Sequence, residues 1–513
     1  MGDPYDVESG WEMRGRPMVR PHARRIDAMF RCGRKNSLVA ALAKLEENLK
    51  VRYLGIGFVW AWIYCSFETS AVYPDRDGIS INADPSWLAS ATVVVVALVA
   101  FGVAFRNSDL SKARRIRVAA PVLVAFGTVL SGVVPLIGGA PLIFYGISGI
   151  ATGTGTALLC LLWGDALSRL EIEQIEIAVP AASLVTFLCC LVFPYIQGVP
   201  GILAVASLPL VSGALLGLFY RGAAVKPRVA RPSSVSEQGA IGNLVRIALV
   251  LFAAYFIIGC LGAMSESEDL MQQAFGIDVP TIIGSGFGLV LAVCFIMFSV
   301  RIDFTSLFRW LAPLLVLAVA LFPWQEVMPN FISTTITCIA DTSMQVITYI
   351  YVIGLAKRSS ISAVLGIGIT QGFVQLGVLT GNLAGVQAGS AVTEGSLSVF
   401  VLALSLICLL SFATMLVPQG GRKQFPRSSA AALSVDDGSV IERQCGDFSE
   451  RFGLSARERE VLEYLARGRS QPYIRDELLL SKNTVATHVK HIYQKLGVHS
   501  RQELLDLFEG DEG

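Results

Sequence analysis

Twelve apolar segments follow one another between residues 51 and 417, and each is long enough to cross a lipid bilayer. A membrane-spanning helix needs about 20 apolar residues. The segments run approximately over 53–73, 87–105, 118–138, 141–163, 175–196, 200–220, 244–264, 280–300, 307–324, 329–356, 361–385 and 397–417. Because only 16% of the residues are charged and 53% are hydrophobic, the composition disfavours a purely soluble enzyme. The sequence predicts an all-α transmembrane bundle of twelve helices.

The loops between these segments carry their positive charge on one side of the predicted membrane. Almost all of their Lys and Arg residues lie in loops that follow even-numbered segments, such as Lys112, Arg169 and Lys357. The loops that follow odd-numbered segments carry only Arg76. Since positively charged short loops stay in the cytoplasm, we expect a multi-pass protein in the lipid of the inner (cytoplasmic) membrane. Both termini should face the cytoplasm.

A long cytoplasmic loop at 221–243 divides the segments into two groups of six, 51–220 and 244–417. This layout resembles the major facilitator superfamily, in which two six-helix halves rock around a site near the membrane midplane. The loop after the second segment, Asp109-Leu-Ser-Lys-Ala-Arg-Arg115, resembles the gating motif of that family but lacks its glycines. The resemblance implies that the first, fourth, seventh and tenth helices line a central cavity.

Polar side chains recur at helical spacing inside three of those four segments, and on the tenth the polar face ends at Tyr349. Polar groups inside a bilayer are costly and usually serve function or helix association. We predict that they bind a small molecule with hydroxyl or amine groups; the alternative is hydrogen bonding between helices without a ligand. The candidate ligand-binding residues are Trp60, Tyr64, Glu68, Tyr145, Thr337, Asp341, Gln345, Gln371 and Gln375.

Two further stretches flank the apolar region. Residues 1–50 are basic, and leucines recur at helical spacing from Leu38 to Leu49. This pattern predicts either an interfacial amphipathic helix on the membrane or a solvated helix packed on the next element. Residues 418–447 contain Pro, Gly, Ser and Asp without periodicity, which is typical of a flexible linker.

Residues 448–513 change to a dense mixture of charges with periodic apolar residues. Ser455 with Glu458, and Ser500 with Glu503, fit the capping-box pattern that begins a helix. The pattern predicts four helices, at about 456–467, 471–478, 482–496 and 501–509. On the third of these, the residues with the spacing of a core-facing stripe are Val485, Val489, Ile492 and Leu496.

The third predicted helix also concentrates positive charge. The stretch 482–501 holds four Lys or Arg residues and no acidic residue. A helix that reads the major groove of double-stranded DNA needs positive charge for the phosphates and hydrogen-bonding side chains for the base edges. The alternative is an ordinary solvated face on a small helical domain.

The same region contains blocks that resemble the LuxR-type helix-turn-helix. They are Leu454-Ser-Ala-Arg-Glu-Arg-Glu-Val-Leu462, Gly468-Arg-Ser470, Leu480-Ser-Lys-Asn-Thr-Val485, His488-Val-Lys-His-Ile492 and Lys495-Leu-Gly-Val-His-Ser-Arg501. The resemblance implies that the second and third helices bind DNA, with the third in the major groove. It also implies that the fourth helix makes the dimer contact, through Leu504, Leu505 and Phe508.

By the same resemblance, six residues are expected to contact DNA. Lys482 and Thr484 would contact phosphates and Thr487 and Lys490 the base edges or groove, and the remaining two candidates are Asn483 and His491. The chain departs from the family pattern at Ala486, where a basic residue is usual, and at Gln471-Pro-Tyr-Ile-Arg475, where the second helix begins.

Together these features predict a membrane-embedded one-component transcriptional regulator. Its twelve-helix domain would sense an unknown small molecule, and its C-terminal domain would bind promoter DNA as a homodimer. The alternatives are a transporter with a fused regulatory DNA-binding domain and a DNA-binding domain released by proteolysis. The sequence contains no catalytic constellation, cofactor-binding motif or metal-ligand spacing, so we expect neither an enzyme nor a cofactor.

Overall fold

A computed structural model describes residues 49–67, 72, 85–133, 142–222, 237–264, 279–298, 304–324, 331–359, 361–417, 438–466, 474–475, 477–478, 480, 482–498, 503–504 and 508. All regular structure among these residues is helical. The chain divides into two compact units, 1–419 and 420–513, which are considered in turn. The predicted interfacial helix, the central loop from 223 to 236 and Glu68 lie outside the described residues.

The first unit is a bundle of the helices predicted from hydropathy. In chain order they are α1 (Gly55–Phe67), α2 (Pro85–Ala104), α3 (Arg114–Val133), α4 (Leu142–Ser168), α5 (Ile172–Val192), α6 (Gly198–Arg221), α7 (Glu237–Met264), α8 (Val279–Phe298), α9 (Phe304–Leu321), α10 (Phe331–Arg358), α11 (Ala363–Thr393) and α12 (Val399–Leu416). In the described part of the chain, nine helices are long and apolar enough to span a membrane, and shorter apolar helices correspond to α1, α8 and α9. The twelve-helix prediction is therefore confirmed.

The outer faces of this bundle are apolar. Large hydrophobic side chains are exposed on several helices, including Phe126, Leu203, Phe412 and Met415. In water such surfaces would be unfavourable, because contiguous exposed apolar patches of this size promote association. In a bilayer they contact lipid tails, which are as apolar as the side chains themselves. The first unit is thus a multi-pass membrane domain.

The two six-helix halves pack against each other through small residues. At the crossing of α2 and α11, a Cβ atom added to Gly102 would lie 3.0 Å from the Cα of Gly368. Such close approach leaves no room for a side chain at either position. Near the same end of the bundle, the ammonium group of Lys357 on α10 donates a hydrogen bond to the carbonyl of Leu170, which follows α4. The halves are therefore joined at the ends of the helices where α4 ends and α11 begins.

The second unit is a small helical domain with its own core. It contains α13 (Gly438–Phe452), α14 (Ala456–Ala466) and α15 (Lys482–Leu496), and helical residues also occur within the second and fourth predicted helices. The capping box that begins α14 is present, because Ser455 N donates to Glu458 Oε2 at 2.8 Å and Glu458 N donates to Ser455 Oγ at 3.3 Å. Gly497, with φ of 68°, ends α15, as glycine often does at a helix C-terminus.

The predicted linker at 418–447 extends too far, because residues 438–447 belong to α13. This helix is stable in its context because Cys445 and Phe448 are buried in the domain core. The ring of Phe448 packs edge-on against that of Phe508, with a centroid separation of 4.9 Å. The C-terminal domain therefore begins near Gly438, ten residues before the predicted boundary.

Candidate functional site

One face of α15 is buried as its sequence spacing predicts. Val485, Val489, Ile492 and Leu496 are all buried, and they pack in one cluster with the apolar residues of α14. This packing fixes the rotation of the helix about its axis. Its opposite face must therefore point away from the domain core.

The exposed face of α15 carries part of the predicted DNA contact set. Thr487, Lys490 and His491 are exposed, and Thr484 is half-buried. Lys482 and Asn483 are the first two residues of α15. An exposed row of hydroxyl and ammonium groups on one helix can hydrogen-bond to base edges and phosphates.

His491 also faces the domain itself. Its side chain is 52% exposed, and its Nδ1 lies 3.6 Å from Oε1 of Glu458 on α14. The carboxylate of Glu458 further accepts a hydrogen bond from Lys495 Nζ at 2.7 Å. Lys495 in turn donates to the carbonyl of Gly453 at 2.9 Å, so its charge serves the domain internally as well.

The environment of Glu458 strongly favours its ionised form. Burial by itself would raise the pKa of this carboxyl, but hydrogen bonds from Lys495 and from Ser455 lower it to about 2. Sequence reasoning did not find the Glu458–Lys495 pair, because the two residues are far apart in the chain and no local pattern connects them. The pair ties the first turn of α14 to the last turn of α15, which fixes the angle between these two helices.

The predicted dimer contact needs a correction. Leu504 is 0% exposed and belongs to the domain's own core. Phe508 packs on Phe448, and its carbonyl accepts a hydrogen bond from Gln444 Nε2 at 3.4 Å. Leu504 is thus used in the core of the domain, and Phe508 packs on α13. Leu505, the third residue of the predicted contact, lies outside the described residues.

In the membrane domain, three helices meet at Asp341 on α10. The hydroxyl of Tyr64 on α1 donates a hydrogen bond to Asp341 Oδ2. The hydroxyl of Tyr255 on α7 donates to the main-chain carbonyl of Asp341 at 3.3 Å. The bond from Tyr64 connects the two halves, because α1 belongs to the first and α10 to the second, whereas the bond from Tyr255 joins α7 to α10 within the second half. Tyr255 was not predicted, although a tyrosine inside the seventh apolar segment is a detectable signal.

Trp60 lies one helical turn from Tyr64 and contacts the same helix of the other half. Its ring packs edge-on against that of Tyr349 on α10, with centroids 5.6 Å apart. Both rings are buried. Trp60, Tyr64 and Asp341, which the sequence assigned to one site, are therefore brought together, and Tyr255 and Tyr349 extend the group. We call these five residues the Asp341 cluster.

The other predicted ligand residues occupy different surroundings. Gln345 and Gln375 are half-buried, and Gln371 is buried. Thr337 donates to the carbonyl of Ser333 on its own helix at 2.9 Å. Tyr145 is half-buried near the start of α4. No described contact joins Tyr145 or Thr337 to the Asp341 cluster.

The helix face that begins at Tyr145 serves packing within the first half. Thr152 on this face donates to Ser90 Oγ on α2 at 2.9 Å. A Cβ atom added to Gly149 would lie 2.4 Å from the Cβ of Ala89. These contacts fit the alternative that sequence reasoning left open for this face, namely hydrogen bonding and close packing between helices.

A charged network lies at the end of the first half where α4 ends. Arg169 donates to Asp109 Oδ1 at 2.6 Å and to Asp165 Oδ2 at 3.0 Å, and the Tyr220 hydroxyl donates to Asp165 Oδ2 at 2.8 Å. Hydrogen bonds from Ser111 and Arg169 lower the pKa of Asp109 to about 2. The loop that resembles the gating motif is thus fixed to the end of α4 by an ionised carboxylate.

Comparisons with known proteins divide along the same domain boundary. Residues 453–508 match the family described as "Bacterial regulatory proteins, luxR family". The chain is 35% identical over 124 residues to a probable HTH-type transcriptional regulator, GfsR, of Streptomyces halstedii, covering 22% of this chain and 50% of that protein. It is 56% identical over 68 residues to a probable transcriptional regulatory protein, NarL, of Mycobacterium tuberculosis, covering 12% and 32% respectively. The chain thus spans half or less of the length of these relatives.

The membrane domain has relatives among solved structures. A bacterial homologue of the iron transporter ferroportin, in an outward-facing state, superposes with a TM-score of 0.50 at 13% identity, covering 72% of this chain and 98% of that one. A major facilitator superfamily transporter in the outward conformation gives a TM-score of 0.45 at 11% identity over the same shares. The chain therefore joins a membrane domain, whose fold is similar to that of the bacterial ferroportin homologue, to a domain that matches the LuxR family of regulatory proteins.

Proposed function

We propose that this chain, a LuxR-type regulator with a major-facilitator-like membrane domain, is a one-component regulator that controls promoters from the inner membrane. Its loop charges favour cytoplasmic N- and C-termini, which is where DNA is accessible. A single polypeptide then contains both the sensor and the effector. No separate phosphorylated partner is needed to connect them.

The C-terminal domain binds double-stranded DNA through the exposed face of α15. Thr487 and Lys490 approach the base edges, and the N-terminal turn of α15, with Lys482 and Thr484, approaches the phosphates. Two copies bind as a homodimer, because helix-turn-helix proteins of this kind recognise paired half-sites. The dimer contact forms on the surface of the C-terminal helix that the domain core does not use.

The membrane domain senses a small molecule at the Asp341 cluster. The observation that carries this proposal is the hydrogen bond from Tyr64 to Asp341, which connects the two halves inside the membrane. A ligand that competes for this carboxylate changes how the halves contact each other. It can alter DNA binding only through different affinities for two states of the domain.

Promoter occupancy by the full-length protein tests this proposal. Chromatin immunoprecipitation compares the wild type with Asp341→Asn in cells grown with a panel of small organic compounds. We expect some compound to change occupancy at least about fivefold in the wild type, within the usual range of allosteric coupling, and to have no effect in the variant. The exposed carboxylate Glu394 at the end of α11 supplies the matched control, Glu394→Gln. Absence of promoter occupancy by the intact chain would reject the function.

A transporter with a fused regulatory domain is the second candidate. The Asp109–Arg169–Asp165 network favours it, because it holds the loop that resembles a gating motif. The fold neighbour, described as a homologue of an iron transporter, adds to this case. Proteoliposome flux assays with compounds that alter promoter occupancy separate the two candidates, since a pure sensor accumulates no substrate.

A further inference from the structure

We propose that the sensing site has a second end made of hydrogen-bond donors, so that its ligand carries a carbonyl-type acceptor as well as a group that faces Asp341. This inference rests on the proposed sensing function and specifies the chemistry of the ligand. It comes from buried polar atoms in and near the Asp341 cluster that have no strong hydrogen-bond partner in the described part of the chain.

Three of these atoms belong to residues that are almost fully buried. They are Nε1 of Trp60, the hydroxyl of Tyr349 and Nε2 of Gln371, and no described residue gives them a hydrogen bond of ordinary geometry. The three residues are 4%, 0% and 3% exposed. Native proteins leave few buried polar groups unsatisfied, because each costs the desolvation energy of the group. A cluster of such groups therefore marks a place where another molecule completes the bonding.

The helix register places these groups at one level of the bundle. The rings of Trp60 and Tyr349 are in contact across the two halves, and the Tyr349 hydroxyl lies against the Cys160 thiol of α4, which is a weak hydrogen-bond partner. One turn further along α4, a Cβ atom added to Gly164 would lie 3.0 Å from Ile367 of α11.

The same register brings α11 to this level. Residues four apart share a helix face, so Gln371 lies one turn beyond Ile367. Gly164 and Ile367 lie at the same level of the bundle because they are in contact. Cys160 is one turn from Gly164 on α4 and Gln371 is one turn from Ile367 on α11, so these two residues also lie at one level. Thr156, one turn along α4 from Cys160, adds another buried hydroxyl oxygen without a partner in the described structure.

The chemistry of this group points to an acceptor. An indole N–H can only donate, an amide NH₂ group donates, and hydroxyls can donate or accept. A ligand carbonyl or carboxamide oxygen has two lone pairs and could accept from two of these donors. The aromatic faces of Trp60 and Tyr349 favour a planar or aromatic body next to that oxygen.

The distance between the two ends sets the size of the ligand. Tyr349 is eight residues from Asp341, about 12 Å along α10, and Trp60 is four residues from Tyr64, about 6 Å along α1. A small molecule with its donor and acceptor groups one to two helical turns apart spans this range. It also bridges the halves, because Trp60 belongs to the first and Tyr349 and Gln371 to the second.

Calorimetric titration of the full-length protein in lipid nanodiscs tests the inference with three related probes. Benzylamine has only the cationic group, benzamide only the acceptor, and 3-(aminomethyl)benzamide both. We expect the bifunctional probe to bind at least about tenfold more tightly than either of the others, since each end adds a hydrogen bond. Trp60→Phe keeps the aromatic face and removes the donor. It should therefore weaken the binding of the two probes that contain an amide about three- to tenfold and leave the binding of benzylamine unchanged.

Trp62→Phe is the matched control, because Trp62 Nε1 on the same helix already donates to Thr128 Oγ1 at 2.8 Å. Gln371→Leu gives a second, independent removal of a donor. If neither Trp60→Phe nor Gln371→Leu changes amide binding, or if the three probes bind equally or not at all, the donor end is rejected. If the probes follow the expected pattern but their binding leaves DNA affinity unchanged, the donor end stands and the sensing function fails.

Discussion

At the residue scale, carboxylates inside the two units have different surroundings. Glu458 accepts hydrogen bonds from Lys495 and from the main chain of Ser455, so the ammonium group of Lys495 neutralises its charge directly. Asp341 accepts from the neutral hydroxyl of Tyr64. A buried carboxylate paired with an ammonium group stabilises a fixed structure, whereas one held by a neutral donor can exchange that donor for a ligand. This difference is why we assign a structural role to Glu458 and a sensing role to Asp341.

Acid should weaken the C-terminal domain through Glu458. Its pKa is lowered from 4.5 to about 2 in the folded state, so the stability it contributes is complete above 4.5 and is lost as the pH falls towards 2. In urea unfolding of a fragment spanning 420–513, the wild type should have a higher free energy of unfolding than Glu458→Gln at pH 6. This difference should disappear near pH 2. A difference in the free energy of unfolding that did not depend on pH would contradict the role of the ionised carboxylate.

Lys490 should contribute to DNA binding because its side chain is exposed on the face of α15 opposite the core. Lys490→Ala should weaken binding of a promoter fragment by about 1–3 kcal/mol if the residue reads a base. Arg459→Ala is the control, because it also removes one positive charge but lies on α14, paired with Glu463 at 3.3 Å. Equal losses in the two variants, measured by fluorescence anisotropy, would contradict a specific contact by Lys490.

At the element scale, α13 extends the C-terminal domain beyond the region that matches the LuxR family model. That match begins at residue 453, whereas α13 spans Gly438–Phe452 and buries Cys445 and Phe448 in the shared core. It also covers Phe508, which sequence reasoning had assigned to the dimer. The helix therefore stabilises the domain and restricts which surface of the C-terminal helix remains for a partner copy.

Removing α13 should destabilise the domain. A fragment spanning 453–513 loses the burial of Phe448, and deletion of a large buried aromatic side chain typically costs about 3–5 kcal/mol. Relative to a fragment spanning 438–513, its urea midpoint should fall markedly, as followed by circular dichroism. Equal midpoints for the two fragments would show that α13 is dispensable for folding.

The sequence predicts elements better than it predicts contacts. Hydropathy alone located α1 to α12, because the bilayer imposes both length and apolarity on a spanning helix. Spacing alone identified the buried face of α15, and the capping box marked the start of α14. The hydrogen bond of Tyr255 with Asp341 and the pair of Glu458 with Lys495 could not be predicted, since they depend on how distant helices cross. The start of α13 was missed because the Ser- and Gly-rich residues before it resemble a linker.

At the scale of the whole molecule, the chain combines a multi-helix membrane domain with a DNA-binding domain of the LuxR type. Each unit has its own apolar core, so each can fold by its own contacts. Inside the membrane domain, the bond of Tyr64 with Asp341 and the ring contact of Trp60 with Tyr349 cross between the halves. Under the proposed sensing function, a ligand bound here would act on contacts between the halves.

The central claim is that occupancy of the Asp341 cluster controls DNA binding. The most direct measurement is the affinity of the full-length chain in lipid nanodiscs for a promoter fragment, with and without a compound that changes promoter occupancy in cells. We predict a change of at least about fivefold in the wild type, within the usual range of allosteric coupling. In Asp341→Asn the affinity without compound should be retained and the change lost. The same change in affinity in the wild type and in Asp341→Asn would contradict the claim.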